Sequence, residues 1–278
     1  MLEPLPVKQL LREFNLRPRK NLGQNFLIDE EYLREITDAA AVSKADEVLE
    51  IGAGIGSLTR YLAVRAGRLT AVEIDRNLFP LLERVLDGYE YVKLVQGDIM
   101  ELDPAFLVLA DGYKVIANIP YYLTSNLIRR LLESNLRPSM LALTVQKEVA
   151  ERVCAESGEM SLLSLSVQLY GQPRIAMHIP ASAFYPVPNV DSALLIVDLF
   201  DEARIPVETR RAFFALAKSA FSQKRKMLHN SLTAAPQIGN EETAELLEEA
   251  GIDGKRRPQT LTLDEWAVLS RLYHSLLD

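Results

Sequence analysis

The chain is nearly without cysteine: one thiol, Cys154, in 278 residues. That excludes an internal disulfide and any metal site built from several cysteines. Histidine is scarce as well. His178, His229 and His274 show no ligand spacing, so no metal centre is expected and each is read as a structural or surface residue. No stretch approaches the roughly 18 apolar residues of a membrane span, and the opening MLEPLPVKQLLREF lacks the apolar run of a secretory signal. A cytoplasmic, reducing compartment with no membrane partner is therefore expected. Positive charge is also in deficit: 31 Lys and Arg stand against 38 Asp and Glu, a formal net charge of −7. As a bare sum, that argues against a nucleic-acid partner.

The distribution of charge argues the other way. Arg17, Arg19 and Lys20 lie in the acid-free window between Glu13 and Asp29. A second acid-free window, between Glu208 and Glu241, holds Arg210, Arg211, Lys218, Lys224, Arg225 and Lys226. Lys255, Arg256 and Arg257 form a third cluster between Asp253 and Asp264. Short basic runs are commonly just solvated faces. Three windows, two of them long and without any acid, instead mark a candidate phosphate-binding surface.

Apolar runs each ending in polar residues recur: EVLEIG (47–52), LTAVEID (69–75), YVKLVQGD (91–98), YKVIANIP (113–120) and MLALTVQ (140–146). Segments of helical periodicity lie between them, such as SLTRYLAVRA (57–66) and SNLIRRLLES (125–134), so the pattern is βαβ with a parallel sheet. Asp29 caps a predicted helix over 29–42. The periodicity of 161–171 does not settle its state, while 174–180 and 192–200 read as two late strands around a proline-rich loop. Past Asp201 the pattern turns wholly helical. A helix carries Phe213, Phe214, Ala217, Ala220 and Phe221 on one face. Another opens at Asn240 as N-cap and closes at Gly251, and a third begins with Thr262 and Glu265 in capping-box spacing. Two domains are expected: residues 1–201, α/β, with a basic N-terminal segment 1–28, and residues 202–278, small and all-helical. Trp266, Leu269 and Tyr273 are read as core of the small domain. Cys154 is read as a small buried hydrophobe, and Asp191 as a loop-fixing hydrogen-bonding group.

The chemistry concentrates at strand ends. Glycines alternate at 52, 54 and 56 directly after the first strand, where a Cβ would obstruct a ligand. Such turns serve NAD, FAD and S-adenosylmethionine alike, and also occur with no ligand. Glu73 ends the second strand 21 residues after Gly52, close to the roughly 20 expected of a carboxylate that binds ribose hydroxyls. Asp98 ends the third strand, placed to accept a hydrogen bond from an adenine amine. A dinucleotide site is not excluded by these three features. The fourth strand argues against it, because it ends Asn118-Ile119-Pro120-Tyr121, which resembles the [N/D/S]-[I/P/L]-P-[Y/F/W] motif of methyltransferases acting on exocyclic amines of bases. An adenine N6 lone pair is delocalised and weakly nucleophilic. A side-chain carbonyl and a main-chain carbonyl accepting its two N–H bonds favour a pyramidal nitrogen aimed at a sulfonium methyl. Pro120 fixes the turn, and Tyr121 offers a face for an extruded base.

Further matches extend over nearly the full length: RKNLGQNFLID (19–29), VLEIGAGIGSLT (48–59), VEID (72–75), QGDIM (96–100), NIPYYLTS (118–125), VQKEVAERV (145–153), FYPVPNVDSAL (184–194) and AFSQKRKMLHNSL (220–232). With these the chain resembles the KsgA/RsmA family of 16S rRNA adenine-N6,N6-dimethyltransferases, related to the Erm enzymes. The resemblance implies a Rossmann-like S-adenosylmethionine-dependent methyltransferase sheet with a C-terminal helical RNA-binding domain, S-adenosylhomocysteine as product and no metal. It implies cofactor contacts at Asn25, Leu27, Gly52, Gly54, Glu73, Asp98 and Asn118, and a base held between Tyr121 and Phe184. Tyr122 has two readings of equal weight, base pocket or backbone support. The implied partner is 16S rRNA in a small-subunit assembly intermediate, methylated by a monomer at two adjacent adenines of the 3′-terminal hairpin. Three rivals stand beside this reading: an Erm-like enzyme that methylates a 23S adenine and confers macrolide resistance, a non-catalytic rRNA-binding assembly factor and, third, a dinucleotide oxidoreductase.

Overall fold

The computed structural model describes residues 2–120, 123–223 and 225–277. After helix α1 (Val7–Glu13) and the two-residue strand β1 (Phe26–Leu27), helix α2 (Glu30–Ala39) starts where Asp29 accepts the Glu31 N–H at 3.0 Å, as the sequence predicts. The alternating pattern then follows: β2 (Glu47–Ile51), α3 (Ser57–Arg65), β3 (Arg68–Glu73), α4 (Phe79–Val85), β4 (Val92–Gln96), β5 (Lys114–Asn118), α5 (Thr124–Leu132), β6 (Met140–Gln146), α6 (Lys147–Val153), α7 (Leu162–Gln168), β7 (Gly171–Ile179), β8 (Phe184–Tyr185) and β9 (Ser192–Leu199). Helices α8 (Val207–Ser222), α9 (Leu228–Leu232), α10 (Asn240–Glu249) and α11 (Leu263–Leu277) complete the chain.

Seven strands form one sheet in the order β4-β3-β2-β5-β6-β9-β7. The first five are parallel to one another, and β9 runs antiparallel to β6. The central strands are mostly apolar because both faces of a parallel sheet are covered; Val48, Leu49, Val115, Ile116, Leu141 and Leu143 are all buried. Glu50, Thr70 and Thr144 are buried polar exceptions within β2, β3 and β6. Strand order reverses between β2, whose next strand β3 lies on one side, and β5, which lies on the other. Open α/β sheets bind ligands outside the carboxyl ends of the strands at such a reversal. A separate two-stranded ribbon pairs β1 with β8 antiparallel, setting Phe26 opposite Tyr185 and Leu27 opposite Phe184.

The chain divides into two compact units, one of residues 1–150 and 173–199, the other of residues 151–172 and 200–278. The helical unit thus takes in α7, which a capping box of Ser161 and Ser164 starts, as well as the four late helices. Its core holds Trp266, Leu269, Tyr273, Phe213 and Leu216, all fully buried. The Thr262–Glu265 capping box forms in both directions, 2.7 and 3.2 Å. Helix α10 differs from expectation. Its N-cap is Gly239, whose N–H donates to the Glu242 carboxylate at 2.8 Å, and Asn240 is the first helical residue. A glutamate three residues into a helix satisfies an orphan N–H on its own, so the cap needs no side chain.

Gly56 caps α3 at φ +84°, and a Cβ there would lie 2.9 Å from a Val85 methyl; Gly88 has a similar φ of +87° with open space around it. Both glycine-to-alanine changes incur left-handed strain of about 1–2 kcal/mol, and only Gly56→Ala adds a steric collision. Denaturant titration should therefore show Gly56→Ala losing clearly more stability than Gly88→Ala. Equal losses would mean that Val85 moves aside freely.

Candidate active site

The site forms where β2 ends. Gly52 and Ala53 donate their N–H groups to the Val72 carbonyl at 2.8 and 3.1 Å, turning the chain across the end of β3. Gly54, at φ +61°, then donates its N–H to Glu73 Oε2 at 2.7 Å. A Cβ on Gly54 would lie 3.1 Å from the Phe26 ring, so the glycine allows the N-terminal segment to pack closely on this turn; a larger residue would push the ring back. The resulting open cleft, about 540 Å³, is lined by Leu22 to Phe26, Gly52, Gly54, Glu73, Ile74 and Asn118 to Pro120. An adjoining recess is lined by Leu27, Glu50, Ser57 and Asn118 among others.

Two carboxyl groups lie at the base of this space. Glu73 is 5% exposed, and its Oε1 accepts the Asp75 N–H at 2.8 Å while Oε2 holds Gly54. Burial raises its pKa; the backbone N–H groups of Asp75 and Gly54 work against the rise, and the charge of Asp75 adds to it. Glu50 is 1% exposed, and burial pushes its carboxyl up to about 8; the nearby Thr59 hydroxyl opposes the rise and the charge of Glu73 adds to it. Among the described residues Glu50 Oε2 and Ser57 Oγ are buried without a hydrogen-bond partner. Two buried polar atoms without partners beside one recess, a carboxyl oxygen and a hydroxyl, are costly unless a partner arrives.

The segment before β1 closes the other side of the cleft. Asn118, the last residue of β5, donates from Nδ2 to the Asn25 carbonyl at 3.0 Å. A carbonyl can only accept, so the amide nitrogen must face it, and Oδ1 lies on the opposite arm. The segment is tied down at Asp75. Arg19 Nη1 donates to Asp75 Oδ1 at 3.2 Å, and Gln24 Nε2 donates to Oδ2 at 3.0 Å. Gln24 Oε1 in turn accepts the Arg19 N–H at 2.7 Å. Burial alone would raise the Asp75 pKa, but the bonds from Gln24 and Asn77 and the charge of Arg19 together hold it below the ordinary value.

Asn25, Gly52, Gly54, Glu73, Asn118 and Pro120 therefore come together at one cleft, with Leu27 at the adjoining recess. Asp98 stands two residues beyond β4, with Oδ1 accepting the Met100 N–H at 2.8 Å, and is not among the residues lining either space. Tyr121 and Tyr122 lie outside the described residues. Phe184 differs from expectation: it is 1% exposed and packs with Leu27, Leu33 and Ile36. Its pairing opposite Leu27 draws it into the core, so the ring presents no open face to a base. Of the basic residues, Arg17, Lys20, Arg225, Lys226, Lys255 and Arg257 are exposed, and Lys224 lies outside the described residues. Arg19 is engaged by Asp75. Arg256 is committed to both carboxylate oxygens of Glu265 and to the Thr260 carbonyl, a structural use of its charge. Sequence pattern does not single out Glu50, Ser57 or Asp75. Glu50 and Asp75 sit within recognisable motifs, but burial without a partner is not visible in a pattern.

The profile of the ribosomal RNA adenine dimethylase family matches residues 15–273. A protein of Moorella thermoacetica named ribosomal RNA small subunit methyltransferase A is 42% identical, over 94% of both chains. Among solved structures, a dimethyladenosine transferase from Plasmodium falciparum aligns with TM-score 0.75 and 25% identity, covering 87% of this chain and 94% of its own. The 23S rRNA methyltransferase ErmE aligns with TM-score 0.72 and 24% identity over 89% and 99%, a likeness of fold.

The raised pKa of Glu50 carries a pH signature. A carboxyl that titrates at 4.5 when unfolded and at about 8 when folded leaves the folded state holding more protons between those values. Its contribution to stability is thus fully present below pH 4.5 and is lost as pH rises toward about 8. Thermal melts of the ligand-free protein should show Glu50→Gln gaining on the native chain as pH increases across that window. A pH-independent difference would mean the carboxyl is hydrated.

Proposed function

Because this chain belongs to the ribosomal RNA adenine dimethylase family, we propose that it dimethylates the N6 amines of two adjacent adenines in the 3′-terminal hairpin of 16S rRNA. On this reading it acts as a cytoplasmic monomer on a small-subunit assembly intermediate, with S-adenosylmethionine as donor. The observation that carries the reading is Asn118: a strand-end amide in the cleft, fixed with its nitrogen on Asn25. The name of the Moorella relative favours the small subunit, while the ErmE likeness is one of fold.

The residues present suit the donor. Bound S-adenosylmethionine supplies a sulfonium methyl and departs as a neutral thioether. Each Glu73 oxygen accepts one backbone N–H bond and has a further lone pair for a ribose hydroxyl. Glu50 Oε2 and Ser57 Oγ, buried and without partners, await the N–H donors of an ammonium. Asn25, Leu27, Gly52 and Gly54 would wall the ligand; Asp98, which the family resemblance assigns to the adenine amine, stands outside both spaces. At the reacting end the Asn118 carbonyl accepts a hydrogen bond from one N6–H and, with a main-chain carbonyl accepting from the other, holds the amine pyramidal. Pro120 fixes the turn and Tyr121 stacks on the base. Arg17, Lys20, Lys224, Arg225, Lys226, Lys255 and Arg257 meet phosphates, with Arg19 and Arg256 supporting the fold beside them.

Mass spectrometry of 16S rRNA from a strain lacking the enzyme, before and after incubation of its small subunits with protein and donor, tests the function. Two dimethyladenines in the 3′-terminal hairpin are expected. Modification of 23S rRNA with macrolide resistance would favour the Erm reading instead.

Two variants test the parts. Asn118→Ala should slow the single-turnover rate on the order of 100-fold, the scale of losing an electrostatic stabiliser. Its ratio of mono- to dimethyladenine should also shift, since only one N–H remains for the second transfer; wild-type rates in both steps would sink this role. Replacing Lys224, Arg225 and Lys226 with Ala should lower the salt slope of RNA binding by about 1 for each phosphate left without its cation, with cofactor affinity unchanged. An unaltered slope would mark the cluster as a solvated face.

A further inference from the structure

We propose that Asp75 is a positioning residue for methyl transfer, acting through the segment from Arg19 to Asn25 to set the orientation of the Asn118 amide. The inference rests on the reading of Asn118 as the amine acceptor. An asparagine amide turns easily about its terminal torsion, which is broad and roughly two-fold. Shape alone does not distinguish its oxygen from its nitrogen. If the group turned over, an N–H donor would face the N–H donors of the substrate amine, converting an attraction into a repulsion. The bond that prevents this is the one from Asn118 Nδ2 to the Asn25 carbonyl, made across 93 residues of sequence.

That carbonyl is only as fixed as the segment carrying it. Residue 24, immediately before it, is held at both ends of its side chain: Oε1 takes the Arg19 N–H and Nε2 reaches Asp75 Oδ2. Arg19 reaches the same carboxylate from its guanidinium. The side chain of Asp75 is 3% exposed, so the carboxylate end of the bonds from Arg19 and Gln24 is shielded from water, although the Arg19 side chain itself is half exposed. Asp75 has a local duty as well, accepting from the Asn77 N–H and side-chain amide. The donors that arrive from the distant segment are Arg19 and Gln24. Asp75 also donates its own N–H to Glu73 Oε1, so one turn of chain fixes the buried carboxylate and the strap together.

The test separates positioning from folding and from cofactor binding. Single-turnover rates are measured with the full chain at saturating S-adenosylmethionine and small-subunit RNA. The proteins are the native chain, Gln24→Ala, Asp75→Asn and Asn118→Ala, and each of the first two changes combined with Asn118→Ala. Gln24→Ala removes the strap's hydrogen bond and leaves the Asn77 cap; Asp75→Asn keeps the shape and removes the charge. Each alone should slow transfer roughly 10-fold, the scale of losing an outer partner that orients a functional group. Neither should slow it further once Asn118 is alanine, because there is then no amide to orient. Equal fold losses in both backgrounds would overturn the proposal, since the strap would then act on something other than Asn118. A wild-type rate for Gln24→Ala and Asp75→Asn beside a slow Asn118→Ala would overturn it as well, leaving the role of Asn118 intact. A wild-type rate for Asn118→Ala would remove the reading on which the proposal stands.

Discussion

A carboxylate buried at the carboxyl end of β3 has to be met by hydrogen-bond donors, and the chain around Glu73 is arranged to supply them. One donor is the N–H of Gly54, which reaches it only because the chain after β2 takes left-handed conformations at alternate glycines. The other is the N–H of Asp75, which begins the turn into the next helix. Leaving either oxygen unmet would cost about 1–3 kcal/mol or more. The demand therefore fixes the glycine turn against the strand end, and the same glycine leaves room for Phe26 to pack on it. The cleft is a consequence of satisfying one charge.

That logic explains which parts are legible in the sequence. The parallel strands are legible because burial on both faces forces largely apolar runs, and the ends of those runs place glycine, Glu73 and Asn118 on one edge without any knowledge of contacts. Helix caps at Asp29 and Thr262 follow from short-range hydrogen bonding in the same way. The ribbon of β1 and β8 is not legible. A two-residue strand has no period, and its partner is more than 150 residues away. The burial of Phe184 follows from that pairing, so its sequence position, right for a base-stacking ring, misleads about its surroundings. The joining of 151–172 to the helical unit is also a property of packing rather than pattern.

Charge transfers least well from sequence to space. A window without acids in sequence is not a window without acids in three dimensions. Arg19 meets Asp75 from 56 residues away, and Arg256 meets Glu265, a residue whose capping spacing already gives it another use. Glu265 serves both, since its two oxygens offer more lone pairs than a cap consumes. Exposure removes little from the three basic windows, since among their described residues only Arg210 and Arg256 are not exposed; what distinguishes Arg19 and Arg256 is that acids hold their charge.

The chemistry asks little of the protein in acid or base strength and much in orientation. A weak nucleophile attacks a methyl group whose leaving group is neutral, so no proton need be forced on or off before the bond forms. What lowers the barrier is the angle at which one nitrogen is held. A strand-end side chain is a rigid platform for that purpose, but a strand fixes only its backbone, not the turn of a terminal amide. The remaining degree of freedom has to be set from outside the sheet. The segment preceding β1 does so with a backbone carbonyl, a group no substitution of side chain can remove. On the proposed reading of Asn118, the site is divided between two structural sources: the sheet fixes where Asn118 stands, and the strap anchored on Asp75 sets which of its amide atoms turns toward the cleft.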